Sequence, residues 1–289
     1  MTIRNLDQAL EPRSIAVIGA PQGPGSAGAA VLRNLEASGF AGPVWRVGGE
    51  GAPFAAVADL PQAPDLAVIL APGPEVPALI AALGARGGRI ALVMSEGVTA
   101  KNGLRQAMLD AARPHLLRVI GPSTAGLILP WSSLNLSIAH EGPAPGQLAL
   151  LSQSGMIASA LVDWAVARGI GFSQVATLGD MADVDVGDYL DLLAGDGRTR
   201  AILIYLESIP SARKFLSAAR AAARLKPVIV LKAGRSEEAA LAAATHSGAL
   251  SAADAVVEAA LIAAVLGVVE GVIVSSFGEG SRGRSRPLL

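Results

Sequence analysis

A short apolar run, a turn rich in glycine, proline or serine, and then a helical stretch recur along this chain, and that unit limits the fold more than any other feature. Arg13-Ser-Ile-Ala-Val-Ile-Gly19 leads into a glycine-rich loop over 20–28 and a helix through Leu35. Residues 65–70, 89–95 and 118–120 repeat the apolar run, with helical stretches after Pro72-Gly-Pro-Glu75 and over 106–112. Runs that are apolar at every position, rather than every second one, belong to strands covered on both faces. Alternation with helices makes the sheet parallel, because parallel neighbours need a crossover. Only 3% of residues are aromatic while 52% are hydrophobic, mostly Ala, Val, Leu and Ile, which suits buried parallel strands and helices. The expected class is α/β.

The alternation lapses once. Pro130, Trp131, two serines and Asn135 lead to Glu141-Gly-Pro-Ala-Pro-Gly146, the clearest break in the sequence. A chain of 289 residues is long enough for two domains, each with its own core. The expected division is a first α/β unit over 1–130, a linker over 131–145, a second α/β unit over 146–276 and a disordered, arginine-bearing tail over 277–289. The second unit runs through strands at 147–151, 171–180, 201–207, 227–232 and 271–274, with helices after Ser154, around Tyr189, over 212–225 and after Asp254.

Composition excludes several functions. The 23 basic and 24 acidic residues nearly cancel, and no basic stripe is interleaved with aromatics, so a nucleic-acid surface is not expected. The absence of cysteine removes disulfides, thiolate nucleophiles and thiolate metal ligands, and with three histidines no metal site is expected. The first ten residues carry an acidic side chain, Asp7, and no apolar core of a secretory signal, and the uncharged run over 259–269 is shorter than the roughly 20 residues of a membrane span. A cytoplasmic protein without a membrane segment is the expectation.

Two loops suit anions. After the first strand, Gly19, Ala20, Gly23, Gly25, Ser26 and Gly28 bring backbone N–H groups and a helix N-terminus together, an arrangement that binds phosphate. Gly23, Gly25 and Gly28 match the dinucleotide fingerprint out of register, since Gly19 directly follows the strand. The second strand, Pro43-Val-Trp-Arg-Val47, ends in Gly48-Gly49 rather than an acid for a ribose hydroxyl, which disfavours a nicotinamide cofactor. The second loop, Ser152-Gln-Ser-Gly155, repeats the arrangement with Ser154 and Gly155 at a helix start. Glu207 ends a strand on the edge where open α/β sheets bind ligands. His246 lies among small residues in Ala243-Ala-Thr-His246-Ser-Gly-Ala-Leu250, where a close approach is possible, and is the candidate for covalent chemistry. The strand ends near Ser154, Glu207 and Lys232 are expected to converge.

Together, Ser14-Ile-Ala-Val-Ile-Gly-Ala20, Gly121-Pro122, Leu151-Ser-Gln-Ser-Gly155, Leu178-Gly179 with Ala182-Asp-Val-Asp185, Tyr205-Leu-Glu207, Lys232-Ala-Gly-Arg-Ser236 and Thr245-His-Ser-Gly248 resemble the NDP-forming acyl-CoA synthetases, both the ADP-forming acetate–CoA ligases and the alpha subunit of succinyl-CoA synthetase. The resemblance spans nearly the whole chain. It implies an N-terminal Rossmann-like CoA-binding domain and a flavodoxin-like domain of the succinyl-CoA synthetase type carrying the phosphohistidine. It implies that His246 takes a phosphoryl group from an acyl phosphate, that Glu207 orients the imidazole, and that Ser154, Gly155, Ser247 and Gly248 hold phosphate. Gly19, Ala20, Gly23, Gly25, Ser26, Gly28, Pro72 and Ser95 would hold coenzyme A. The two α/β units leave no room for an ATP-grasp module, so a beta-type partner carrying Mg2+ and ADP or ATP is expected, with a small carboxylic acid or its acyl-CoA as substrate. Gly121-Pro-Ser-Thr124 stands where the family usually has Gly-Pro-Asn-Cys, and Leu178-Gly-Asp180 where it has Leu-Gly-Asn. These departures keep a second reading open, a non-catalytic acyl-CoA-sensing module acting on a partner protein.

Overall fold

The computed structural model describes residues 5–21, 23–49 and 51–233. His246, Ser247, Gly248, the strand expected at 271–274 and the tail lie outside the described residues. Five strands, β1 (Ile15–Ile18), β2 (Val44–Val47), β3 (Leu66–Ile69), β4 (Ile90–Val93) and β5 (Arg118–Ile120), form a parallel sheet in the order β2-β1-β3-β4-β5. β1, β3 and β4 are buried at every position, which explains why they read as unbroken apolar runs. Their pleat divides them between two layers. Ile15 and Val17 pack with Val31 and Leu35 of α1 (Ala27–Ser38), while Ala16 and Ile18 belong to the layer of α2 (Val76–Arg86) and α3 (Leu104–Ala112), with Ile80, Leu83 and Met108.

The second sheet has six strands. β6 (Gly126–Leu129) and β7 (Leu134–Ser137) form an antiparallel hairpin, followed by the parallel strands β8 (Pro145–Ser152), β9 (Phe172–Thr177), β10 (Ala201–Leu206) and β11 (Val228–Lys232). Their order is β11-β10-β8-β9-β6-β7, with β6 antiparallel to β9. α4 (Gly155–Val166) packs on one face through Ala158, Val162 and Ala165 against Leu150 and Val175. α5 (Val186–Gly195) and α6 (Ala212–Ala223) contribute Tyr189 and Phe215 to the layer that also takes Ala149 and Leu151.

Two expectations need correction. Residues 126–129, assigned to the first unit, and 134–137, assigned to the linker, are strands of the second sheet. The reason is pairing: β6 meets β7 and β9, neither of which its own four residues identify. Nor does each unit keep a separate core. One apolar layer runs from Ile15, Val17 and Leu92 through Leu127 and Leu151 to Tyr189 and Phe215, so the α1 face of the first sheet and the α5–α6 face of the second close on each other.

Polar contacts fix this closure. Buried Asn34 of α1 donates through Nδ2 to the carbonyls of Ser137 and Ala139, both at 2.8 Å, satisfying groups at the end of the β7 edge strand. Arg118 of β5 reaches Asp183 through Nε at 2.8 Å and Asp188 of α5 through Nη2 at 3.2 Å. Lys214 of α6 pairs with Asp185 at 3.0 Å and Asp188 at 2.7 Å. Asp185 and Asp188 also cap α5 reciprocally, each carboxylate accepting the other's backbone N–H at 3.1 Å. Burial works against the charges of Arg118 and Lys214, but the facing carboxylates outweigh it and hold both cations above their ordinary pKa.

Candidate functional site

The carboxyl edge of the first sheet opens where the strand order reverses. Ile18, Val47 and Ile69 end level with one another, and the helices that follow β1 and β3 pack in opposite layers on the sheet. Gly19 has φ +66°, and a Cβ there would stand 2.6 Å from the Ala71 Cβ. A Cβ at Gly28 would stand 2.3 Å from the Pro21 carbonyl oxygen, so glycine is required where α1 meets the loop. Gly23 and Gly25 lie in the exposed part of that loop, with open space around them. Ser26 caps α1: its Oγ accepts from the Ala29 N–H at 3.1 Å and donates to the Pro21 carbonyl at 2.7 Å. Its own N–H donates to the Gly23 carbonyl at 3.0 Å, so backbone and hydroxyl together hold the loop. Pro72 begins the turn into α2, and buried Ser95, just after β4, accepts the Ser123 N–H through its carbonyl at 3.2 Å. Gly19, Ala20, Pro72 and Ser95 thus share one sheet edge.

The segment after β5 joins this edge to the second sheet. The Gly121–Pro122 bond is cis, and Ser123 has φ +58°, a conformation in which Asn is commoner than Ser. The Pro122 carbonyl accepts from the Asp180 N–H at 2.9 Å and the Gly121 carbonyl from the Ala182 N–H at 2.9 Å. Gly179 is held so close that a Cβ would lie 2.1 Å from the Pro122 oxygen. Thr124 is buried, its Oγ1 2.5 Å from the Thr177 carbonyl and 2.7 Å from the Thr177 hydroxyl, and it accepts from the Gly126 N–H at 3.1 Å. This hydroxyl network binds the two units, a structural role that sequence reasoning did not assign to Thr124. Asp180 is exposed beside the junction; partial desolvation pushes its carboxyl up, opposed by Arg105.

In the second sheet, Thr177, Ser152, Tyr205 and Leu231 stand in one row across β9, β8, β10 and β11. The residues that follow, Ser154, Glu207 and Lys232 among them, emerge from the same carboxyl edge on neighbouring strands, as expected. Ser154 caps α4, its Oγ accepting the Ile157 N–H at 3.3 Å, and its own backbone is fixed by Ser152 Oγ. A Cβ on Gly155 would come within 2.4 Å of the Ala125 Cβ, so a side chain there would push the helix start off the junction. The cap satisfies one of the N–H groups that open α4, the Ile157 N–H. Glu207 is half-buried, and desolvation followed by the Glu207 charge raises the neighbouring Tyr205 phenol.

Gln153 was quoted in a motif without a role, and the structure gives it one. Its backbone N–H extends the β8–β10 pairing to the Tyr205 carbonyl at 3.2 Å. Its side-chain Oε1 accepts from the N–H groups of Glu207 at 2.5 Å and Ser208 at 2.9 Å, and its Nε2 donates to Ser208 Oγ at 3.1 Å. Only the strand pairing reveals these contacts, because the partners lie more than fifty positions away.

A CoA binding domain family matches residues 13–130, and the succinyl-CoA ligase-like flavodoxin domain family matches residues 145–272. Between them the two matches take in most of the chain. The alpha subunit of an ADP-forming acetate–CoA ligase from Pyrococcus furiosus is 37% identical over 270 residues, covering 89% of this chain and 58% of that subunit. The 4-hydroxybutyrate–CoA ligase of Nitrosopumilus maritimus is 35% identical over 264 residues, covering 86% of this chain and 38% of the ligase. Among solved structures, acetyl-coenzyme A synthetase 1 of Ca. Korarchaeum cryptofilum, in complex with phosphate and ADP, superposes with a TM-score of 0.84 at 33% identity, over 93% of this chain and 60% of that one. The chain spans little more than half, or less, of these relatives. The family resemblance drawn from the motifs and the two-domain α/β fold are both borne out. Among the described residues, no helix is long and apolar enough to cross a membrane, and no cluster of three acidic or histidine side chains is placed to hold a metal ion.

Proposed function

We propose that this chain is the CoA-binding, phosphohistidine-bearing part of an ADP-forming acyl-CoA ligase. The observation that carries this reading is the joined pair of carboxyl edges, one with the close Gly19–Ala71 approach and the other with the α4 N-terminus beside Glu207, on a fold shared with ADP-forming ligases. Coenzyme A would lie at the first edge, against the backbone of Gly19, Ala20, Gly23, Gly25, Ser26 and Gly28 and the turns at Pro72 and Ser95.

The N-terminal turn of α4, begun by the Ser154 cap and Gly155, would hold a phosphate dianion through the N–H groups that follow the cap. A phosphate oxygen attacks the thioester carbonyl, and the CoA thiolate leaves with a proton to give acyl phosphate. One imidazole nitrogen of His246 then attacks phosphorus, and the carboxylate departs. Glu207 accepts the hydrogen bond from the other imidazole nitrogen, stabilising the cation that forms, while Ser247 and Gly248 complete the phosphate contacts. An ATP-grasp partner, supplying Mg2+ and ADP, takes the phosphoryl group from His246; the reverse sequence makes acyl-CoA.

The test is reconstitution with an ATP-grasp chain from an ADP-forming ligase, Mg2+, ATP, CoA and a set of small carboxylic acids. Acyl-CoA and ADP should form with the wild type and not with His246→Ala. No product from any acid with a partner active in its own complex, despite CoA binding, would favour the sensing module.

A further inference from the structure

We propose that Gln153 is a positioning residue that couples the phosphate-binding helix start to Glu207; the inference rests on the ligase reading above. Three observations carry it. First, β10 ends at Leu206, whose carbonyl accepts from the Ala233 N–H at 2.7 Å, and the Glu207 and Ser208 N–H groups beyond it are taken by a side chain, Gln153 Oε1. Second, the amide orientation is fixed, since two N–H donors must face its oxygen, and this aims Nε2 at the Ser208 hydroxyl at 3.1 Å. Third, Gln153 sits between Ser152 and Ser154, whose side chains set the start of α4. One side chain therefore spans from the loop that would hold phosphate to the backbone that carries the carboxylate.

The consequence is geometric. Glu207 leaves β10 at a turn closed from one side by Gln153, so the distance between the α4 N-terminus and the carboxylate depends on that amide. A glutamine suits this position because it accepts from two N–H groups and donates to a hydroxyl without adding charge beside a phosphate. Chemistry that needs a phosphate, an imidazole and a carboxylate in one line is sensitive to errors of about 1 Å.

The test uses the full chain with its ATP-grasp partner, radiolabelled ATP and Mg2+, and follows label on His246. Gln153→Met keeps the volume and removes every hydrogen bond; Gln153→Glu keeps an acceptor for both N–H groups. The expected result is a loss of about tenfold or more in labelling rate for Q153M, with CoA affinity and the KM for ATP within about threefold of wild type, and a rate at least about threefold above Q153M in Q153E, whose added charge keeps it below wild type. Should Q153M lose CoA binding or melt early, Gln153→Asn, one methylene too short to reach both N–H groups, takes its place with the same expected loss. Equal rates for Q153M and wild type, or equal losses in Q153M and Q153E, would overturn the positioning role while leaving the ligase reading intact. Wild type that takes no label would overturn that reading, and this inference with it.

Discussion

Asp188→Asn tests whether the ion-pair cluster holds the two units together. Asp188 is only 3% exposed and accepts from Arg118 on β5, Lys214 on α6 and the Asp185 backbone. Asparagine keeps the shape, and its oxygen can still take the Asp185 N–H, but its charge is gone. Arg118 retains Asp183 at 2.8 Å and Lys214 retains Asp185 at 3.0 Å, so neither cation is stranded. The cost therefore falls at the low end of the range for a broken buried pair, about 3 kcal/mol. That corresponds to a fall in Tm of about 6–12 °C for a chain of this size. The assay is thermal unfolding followed by circular dichroism, repeated across pH. Lys214 has a raised folded pKa, so its contribution is complete below the unfolded value of about 10.4 and is lost as pH rises through the folded one. The difference between wild type and variant should therefore persist from pH 6 to 9 and shrink above about pH 10.5. A fall below about 2 °C at pH 7 would refute the reasoning.

Two further substitutions probe the edge itself. Gly155→Ala forces a Cβ into Ala125 and should cost about 1–3 kcal/mol in a denaturant melt while abolishing phosphate transfer; unchanged stability would contradict the packing read from this contact. Asp180→Asn removes a carboxylate whose pKa is raised by desolvation. A raised acid favours the fold below its unfolded value of about 3.9 and disfavours it as pH rises through the folded one, so the variant should gain stability at pH 7 and not near pH 3. Removing that charge should also lower the KM for phosphate by about two- to fivefold, read in the acyl-CoA-dependent labelling of His246; an unchanged KM would place Asp180 away from the phosphate.

The sequence carried the parallel sheets plainly, because strands buried on both faces must be apolar throughout, as Ile15–Ile18 and Leu66–Ile69 are. The glycines at the two carboxyl edges were equally legible, since Gly19 and Gly155 are demanded by contacts at 2.6 Å and 2.4 Å that no larger residue permits. The hairpin over 126–137 was not. Its strands are short and follow the glycine–proline turn at 121–122, and what assigns them to the second sheet is pairing with β9 some fifty positions away. Gln153 and Thr124 escaped for the same reason: their partners at Glu207, Ser208 and Thr177 come together only through strand register. The continuous apolar layer likewise depends on how two sheets face each other, which periodicity within one strand does not encode.

The central claim is that His246 carries the phosphoryl group, and chemical identification of the labelled residue tests it most directly. The chain is incubated with radiolabelled ATP, Mg2+ and an ATP-grasp partner, then digested, and the labelled peptide is sequenced. The account predicts label that is stable in base, lost in acid, confined to the peptide containing His246 and absent from His246→Ala. Label on another residue, or equal label in the alanine variant, would contradict it.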